Sequence, residues 1–357
     1  MKIATKIAVV GAGYFSQFHL DGWSSLPQVK LVGLCDLDLA KASNLAARLS
    51  QAGRPHVFDS VAKMLDAAQP DLVDVITPPA AQAAVLKEVI SRGIPVICQK
   101  PFGIDYAQAL AFTQQAEAAK VPLVVHENFR FMPWYREAKR LLEQGQLGAL
   151  YNVSFRLRTG DGQGPNAYLD RQPYFQTMPR LLVAETAIHY IDTFRYLVGE
   201  VAAVYAKLRR LNPAIAGEDA ALITFEFASG AAGLFDGNRL VDHVALNPRR
   251  TLGEMWLEGS AGVLRLDGDA RLWWKPHHRE EVPHVYGAGH GHDDMKTFGG
   301  GACGRLQAHV IEAIAANSPT ENSAREYLQN LRIQEAVYAS NESGRRIALE
   351  GFEPVAA

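Results

Sequence analysis

The sequence predicts two successive architectures: an α/β domain built on a parallel sheet, then an α+β domain with an open, mostly antiparallel sheet. Three observations carry this. Short apolar runs alternate with helical stretches of about 10 to 17 residues up to Val125, and crossovers of that length go with parallel strands. The rhythm then breaks, because residues 126–131 are polar and aromatic. From Val201 to Trp274 strand follows strand, with turns such as Ser229-Gly230 and Asp267-Gly268 tight enough for hairpins. The expected domains are residues 1–125 and 126–357, and 357 residues accommodate two.

In chain order, residues 6–10 form a β-branched strand ended by Gly11-Ala12-Gly13, and 15–25 a helix. A strand over 29–35 delivers Asp36, and 38–50 and 60–68 are helical. A strand over 72–76 ends in Thr77-Pro78-Pro79, and the helix 81–92 stops at Gly93. A strand over 95–99 delivers Lys100, the helix 104–120 follows, and 122–125 closes the series. Beyond the break, 133–144 is a helix with Pro133 in its first turn and Gly145 at its end. Residues 150–158 alternate as a half-buried strand. Residues 159–179 form a loop of a length usually functional or disordered, and Tyr168, Tyr174 and Phe175 argue against disorder. An amphipathic helix spans 182–197. Strands follow at 202–209, 220–227, 231–240, 252–257, 263–266 and 272–274. The capping box Ser323…Glu326 opens a last helix that runs to 342.

Composition excludes several classes. Hydrophobic residues at 48% and charged ones at 21% give a globular chain with a sizeable core. A net charge of −2 offers nothing to nucleic acid or an anionic membrane. Cys35, Cys98 and Cys303 are far apart and lack metal-ligand spacing, so a reducing cytoplasm is expected. The first apolar run is too short for a signal segment and enters a turn directly. No apolar run approaches the roughly 18 residues of a membrane span.

The first chemistry lies at strand ends. Gly11-Ala12-Gly13-Tyr14-Phe15-Ser16 follows a strand and opens a helix, which suits a pyrophosphate at the helix N-terminus. Asp36 ends the next strand, where a carboxylate accepts from both adenosine ribose hydroxyls. Asp38 adds negative charge and no arginine flanks the pair, so NAD is favoured over NADP. A glycine turn beside an N-capping aspartate is the plainer alternative. Thr77-Pro78 ends a strand that would face the nicotinamide ribose, and Lys100 sits where a parallel sheet presents its ligand.

These residues resemble the Gfo/Idh/MocA oxidoreductases over nearly the whole chain, including the ending Ser340-Asn341-Glu342-Ser343-Gly344-Arg345-Arg346. The resemblance implies an α/β Rossmann domain plus a C-terminal domain on an open, mostly antiparallel sheet, often used for oligomer contacts. It also implies NAD(P)-dependent oxidation of a sugar or cyclitol. The family's Glu-Lys-Pro reads Gln99-Lys100-Pro101 here, with the lysine contacting substrate and cofactor. Its Thr-Pro-Asn-x-x-His reads Thr77-Pro78-Pro79-x-x-Gln82. Its Gly-Gly…Asp-x-x-x-His-x-x-Asp reads Arg180-Leu181…Glu185-x-x-x-His189-x-x-Asp192. Gln82 and Gln99 thus join Gly11, Gly13, Tyr14, Phe15, Asp36, Thr77, Pro78 and Lys100 as expected cofactor neighbours. The loop from Asp161 to Phe175 resembles the branch that includes apiose dehydrogenase.

On an α-helix, Glu185, His189 and Asp192 share one face at i, i+4, i+7. A structural histidine or a solvated face would explain each alone, but Ile188, Ile191, Phe194 and Leu197 already supply a buried side. Oxidising an alcohol removes a proton and a hydride from one H–C–O–H unit. Histidine suits the base and a fixed lysine the developing oxyanion. His189 is therefore the expected base, Lys100 the expected oxyanion partner, and Glu185 the holder of a neighbouring hydroxyl or of His189. Asn128, Arg130, Arg158, Tyr168, Arg171 and Arg180 are further substrate candidates. His277, His278, His284, His290, His292, Asp293 and Asp294 fit no metal template, so no metal is expected and a polar flap is favoured. The leading function is an NAD-dependent sugar or polyol dehydrogenase, with oxidation of an aldopentose such as apiose to its lactone as one form of it. An NAD-retaining glycoside-processing enzyme and a non-catalytic NAD- or sugar-sensing regulator are the alternatives. A homodimer or homotetramer through the C-terminal sheet is expected.

Overall fold

The computed structural model describes residues 4–287 and 298–354. Elements run β1 (Thr5–Val10), α1 (Ser16–Ser24), β2 (Val29–Cys35), α2 (Leu39–Ala46), β3 (His56–Phe58), α3 (Val61–Ala68), β4 (Leu72–Val75), α4 (Pro79–Ile90), β5 (Val96–Gln99), α5 (Tyr106–Ala118) and β6 (Leu123–His126). Then come α6 (Pro133–Glu143), β7 (Leu150–Arg158), a π-helical turn (Leu182–Ala187), α7 (Ile188–Val198), β8 (Val201–Arg209), β9 (Ala220–Phe227) and β10 (Ala232–Asn238). The chain continues through β11 (Gly253–Gly259), β12 (Gly262–Leu266), β13 (Leu272–Pro276), β14 (Val282–His284), α8 (Ala302–Ala315), α9 (Ala324–Ser343) and β15 (Ile347–Ala348).

Two compact units emerge. One holds residues 1–128 and 301–329, the other 129–300 and 330–354. The sequence expectation assigned everything after 125 to the second domain. Residues 301–329 instead pack with the first unit, for a local reason. Gly22 on α1 and Gly304 on α8 let the two helices touch: a Cβ on Gly22 would meet the Gly304 nitrogen at 2.9 Å. Gln307 then donates to the His19 carbonyl at 3.0 Å, and Asn322 to the Glu127 carbonyl at 2.7 Å.

The first unit carries a parallel sheet in the order β3-β2-β1-β4-β5-β6. Its order reverses between β1 and β4, so the carboxyl ends of those strands form the switch point where such sheets bind ligands. β4, β5 and β6 are buried throughout. The one acid in β4, Asp74, accepts from His19 Nδ1 at 2.8 Å and Trp23 Nε1 at 2.7 Å. A buried carboxylate needs such partners.

The second unit carries a sheet in the order β14-β13-β12-β11-β7-β10-β9-β8-β15. Pairing is antiparallel except between β7 and β10. That parallel pair aligns the carboxyl ends of β7 and β10, which places Arg158 beside Asn238. One face is covered, with Tyr190 of α7 stacked on Phe155 at 3.8 Å. The other face leaves Tyr205, Leu222, Leu234 and Trp256 exposed, as the strict alternation along β9 and β10 requires.

Candidate active site

In the first unit, Gly11 follows β1 at φ +109°, and a Cβ there would lie 2.5 Å from the Ile76 carbonyl oxygen. Only glycine fits that crossing. A Cβ on Gly13 would meet nothing within 4 Å, so its backbone faces open space. α1 begins without a side-chain cap, which leaves its first N–H groups for an anion. Asp36 accepts from Ala12 N at 2.7 Å and Asp38 N at 2.8 Å, which fixes its carboxylate beside the glycine turn. Among the described residues, the buried Thr77 hydroxyl oxygen has no hydrogen-bond partner at the end of β4. Glycine cradle, uncapped helix start, fixed carboxylate and spare hydroxyl fit a dinucleotide. Tyr14 is exposed, Phe15 packs against Phe18 and His19, and Pro78 caps α4.

Lys100 leaves β5 half-buried, and its turn is bracketed by one side chain. Gln82, wholly buried, donates from Nε2 to the Gln99 carbonyl at 3.0 Å and to the Pro101 carbonyl at 2.9 Å. Its Oε1 accepts from Gly103 N at 2.8 Å. Both of its N–H donors are therefore used on the chain either side of Lys100. Gln99 Oε1 accepts from the Lys100 backbone at 3.0 Å. Asn128, also buried, donates to Cys303 Sγ at 3.4 Å.

In the second unit, residues 182–187 wind as a π-helical turn before α7 begins. The expected single α-helical face therefore does not hold, because a π turn takes more residues and rotates Glu185 away from the α-helical register. The three side chains meet different neighbours. Asp192, wholly buried, grips Arg130 through Nε at 2.8 Å and a terminal nitrogen at 2.6 Å, and accepts from Asn330 at 2.7 Å. His189, buried, lies flat on Phe129 with ring centroids 3.9 Å apart and planes 4° apart. Glu185 is half-buried, and its charge bears on Tyr174 and Arg239. The start of the turn is fixed by Glu218, whose side chain accepts from Val183 N at 3.0 Å and whose carbonyl accepts from Leu182 N at 2.9 Å.

The long loop is ordered. Tyr168 and Phe175 form a small core with Ala167, Leu181 and Ile215. Arg171 pairs with Asp161 at 3.2 Å. Arg158 pairs with Asp236 at 2.5 Å and also donates to two carbonyls. Arg180 is exposed, bonded to Glu335 at 2.9 Å and set over the Tyr338 ring. His277 bonds the Gly259 carbonyl, and His284 bonds Glu137 at 2.6 Å. His290, His292, Asp293 and Asp294 lie outside the described residues. Sequence reasoning missed Arg239, which follows β10 and bonds Asp161. No local motif marks it. Only the parallel pairing of β7 with β10 brings it to the loop.

Comparison with known proteins agrees with this architecture. Residues 5–127 match the model of the oxidoreductase family with an NAD-binding Rossmann fold, and residues 135–265 match the Gfo/Idh/MocA C-terminal domain. The chain is 32% identical to D-apiose dehydrogenase of Paraburkholderia graminis, covering 98% of this chain and 90% of that one. It is 26% identical to D-apiose dehydrogenase of Rhizobium rhizogenes, covering 96% of each. An oxidoreductase from Agrobacterium radiobacter, solved with NAD+, L-tartaric acid and magnesium, shares the fold. Its TM-score is 0.84 at 24% identity, over 97% of this chain and 99% of that one. The protein is thus an NAD-binding oxidoreductase with a Rossmann domain. In particular, it belongs to the Gfo/Idh/MocA family. No helix among the described residues is long and apolar enough to cross a membrane.

Proposed function

We propose that the protein oxidises a sugar or polyol at a hydroxyl-bearing or anomeric carbon, an aldopentose such as apiose to its lactone being the first candidate. The observation that carries this is the nearly full-length similarity to two D-apiose dehydrogenases, joined to retention of Lys100 and His189. NAD supplies the hydride acceptor when bound. Gly11, Gly13 and the start of α1 would receive its pyrophosphate, Asp36 its adenosine ribose, and Thr77 the ribose at the other end, with Tyr14, Phe15, Pro78 and Gln99 as neighbours. Lys100 orients the substrate hydroxyl and stabilises its alkoxide character. His189 takes the hydroxyl proton, its ring plane fixed by Phe129. Glu185 accepts from a neighbouring hydroxyl, with Arg171 and Tyr168 shaping that side.

The exposed row Tyr205, Leu222, Leu234 and Trp256 on the open sheet supports self-association into a homodimer or homotetramer. Three buried free cysteines suit a cytoplasmic setting.

The test is a panel of apiose, other pentoses, hexoses and inositols, followed by NADH absorbance. Apiose should give the highest kcat/KM, and a clear preference for an inositol would overturn the aldopentose reading. Lys100→Met should lower kcat by about 10²–10³-fold with NAD binding retained. A His189→Ala enzyme with near-normal turnover would remove the histidine from its role. Asp36→Arg should shift cofactor preference from NAD toward NADP.

A further inference from the structure

Arg239 is 4% exposed, so its guanidinium is buried. It donates to Asp161 Oδ2 at 3.0 Å and Oδ1 at 3.4 Å, and to Thr186 Oγ1 at 3.0 Å. Its plane lies 4.9 Å from the centre of the Tyr168 ring and 5.2 Å from that of Phe175. Each partner belongs to one of two segments. Asp161, Tyr168 and Phe175 belong to the long loop, and Thr186 is the residue after Glu185 in the π-helical turn. The backbone joins in, since Gly162 N donates to the Arg239 carbonyl at 2.9 Å and Gly160 N to the Val241 carbonyl at 3.0 Å. Tyr168 is held at φ +69°, a conformation that a bulky residue keeps only when its surroundings enforce it. Asp161 is bound on its other side by Arg171 and by Thr159 Oγ1 at 2.6 Å.

We propose that Arg239 is a positioning residue that locks the 159–175 loop onto the turn bearing Glu185, so that loop and carboxylate act as one sugar-recognition wall. This rests on the reading that Glu185 meets the substrate. The planar fork is what the job requires. It reaches a carboxylate and a hydroxyl in fixed directions while covering two aromatic rings, which a lysine cannot do. The electrostatics are consistent with a permanent clamp. Burial opposes the charge on Arg239, but the carboxylates of Asp161 and Glu185 outweigh it. Burial likewise pushes Asp161 up, yet Arg239, Thr159 and Arg171 hold it below the usual carboxylate range. Sugar specificity would then be set at a distance, by how firmly this loop is fastened.

The experiment compares Arg239→Lys, Asp161→Asn and Glu185→Gln in the full-length enzyme. KM for the best sugar of the panel, kcat and Kd for NAD are measured, with limited trypsin digestion at Arg171. The double variant Arg239→Met, Asp161→Leu removes both charges together, so a folded comparison survives if a single change leaves one charge buried and unpaired. Expected for Arg239→Lys and for the double variant are a rise of about tenfold in KM, discrimination among pentoses reduced by a similar factor, and kcat and NAD affinity within about twofold. Faster cleavage at Arg171 should accompany this. Lower thermal stability with KM and discrimination unchanged would make Arg239 merely structural and overturn the clamp, provided Glu185→Gln does raise KM. If Glu185→Gln leaves KM unchanged, the underlying reading of Glu185 fails instead.

Discussion

The turn carrying Lys100 and the turn carrying Glu185 are fastened by different chemistry. In the first unit a single neutral amide, Gln82, spans the strand end and bonds the backbone on both sides of the lysine. In the second, ions do the fastening: Asp192 with Arg130, and Asp161 with Arg239 and Arg171. A neutral clamp does not titrate in the working range and places no charge of its own beside Lys100. An ionic clamp is directional, at the cost of sensitivity to the loss of either partner.

The sharpest way to break that contrast is Asp192→Ala. It removes the two-pronged carboxylate partner of the buried Arg130 and should cost about 3–5 kcal/mol, read by urea unfolding. A loss below about 1 kcal/mol would mean that Arg130 finds water, and the pair would not be the anchor described. Next comes Gln82→Ala, which deprives two carbonyls and one N–H of their partner. About 1–3 kcal/mol of stability should go, and kcat should fall while NAD affinity holds. Gln82→His, the residue the family usually carries there, should recover part of the loss. Wild-type turnover in Gln82→Ala would show that the Lys100 turn holds itself.

Acid should separate the two regions further. Arg140, with help from His284 and against burial, keeps Glu137 at about 2 where a free glutamate titrates at 4.5. Its contribution is fully present above that ordinary value and is lost as pH falls toward the lowered one. Asp161 is lowered in the same sense. Acidification should therefore weaken the second unit, and Glu137→Gln should flatten the acid limb of its stability curve. An acid limb unchanged in that variant would remove Glu137 from the account. The smallest effect belongs to Arg180→Ala. An exposed pair with Glu335 should be worth no more than about 1 kcal/mol, and a large rise in sugar KM would instead restore Arg180 as a substrate contact.

Much of the fold was legible because local pattern and tertiary fold agree. The strands at Val29–Cys35, Leu150–Arg158 and Ala220–Phe227 have the bounds read from the sequence. β3 is only three residues at a sheet edge, too short for a period to register. α8 follows Gly299-Gly300-Gly301 and starts from a glycine without a side-chain cap, so no start signal precedes it. The capping box Ser323…Glu326 is real in part: Glu326 N donates to Ser323 Oγ at 3.3 Å, but the glutamate accepts from Asn322 N at 3.1 Å. In the candidate site, Gly11, Asp36 and Thr77 could be read locally because each sits at the end of its own strand. The π-helical turn could not, since its sequence is compatible with an ordinary helix. Nor could Arg239, whose place depends on two strands about 80 residues apart lying parallel, against the hairpin tendency of their neighbours.

The assignment of residues 301–329 to the first unit has a consequence for how the chain comes into being. The partners of the His19 and Glu127 carbonyls lie 288 and 195 residues further along. A ribosome that has finished the six-stranded sheet has not yet made α8, so the flank of α1 that α8 covers waits uncovered while the whole second sheet is synthesised. Closing such distant contacts is slow, and the waiting surface is open to misassociation. A fragment ending at residue 128 is expected to bind a hydrophobic dye and to aggregate, and adding a peptide of residues 301–329 should suppress both. The nucleotide-binding unit is the first begun and among the last completed.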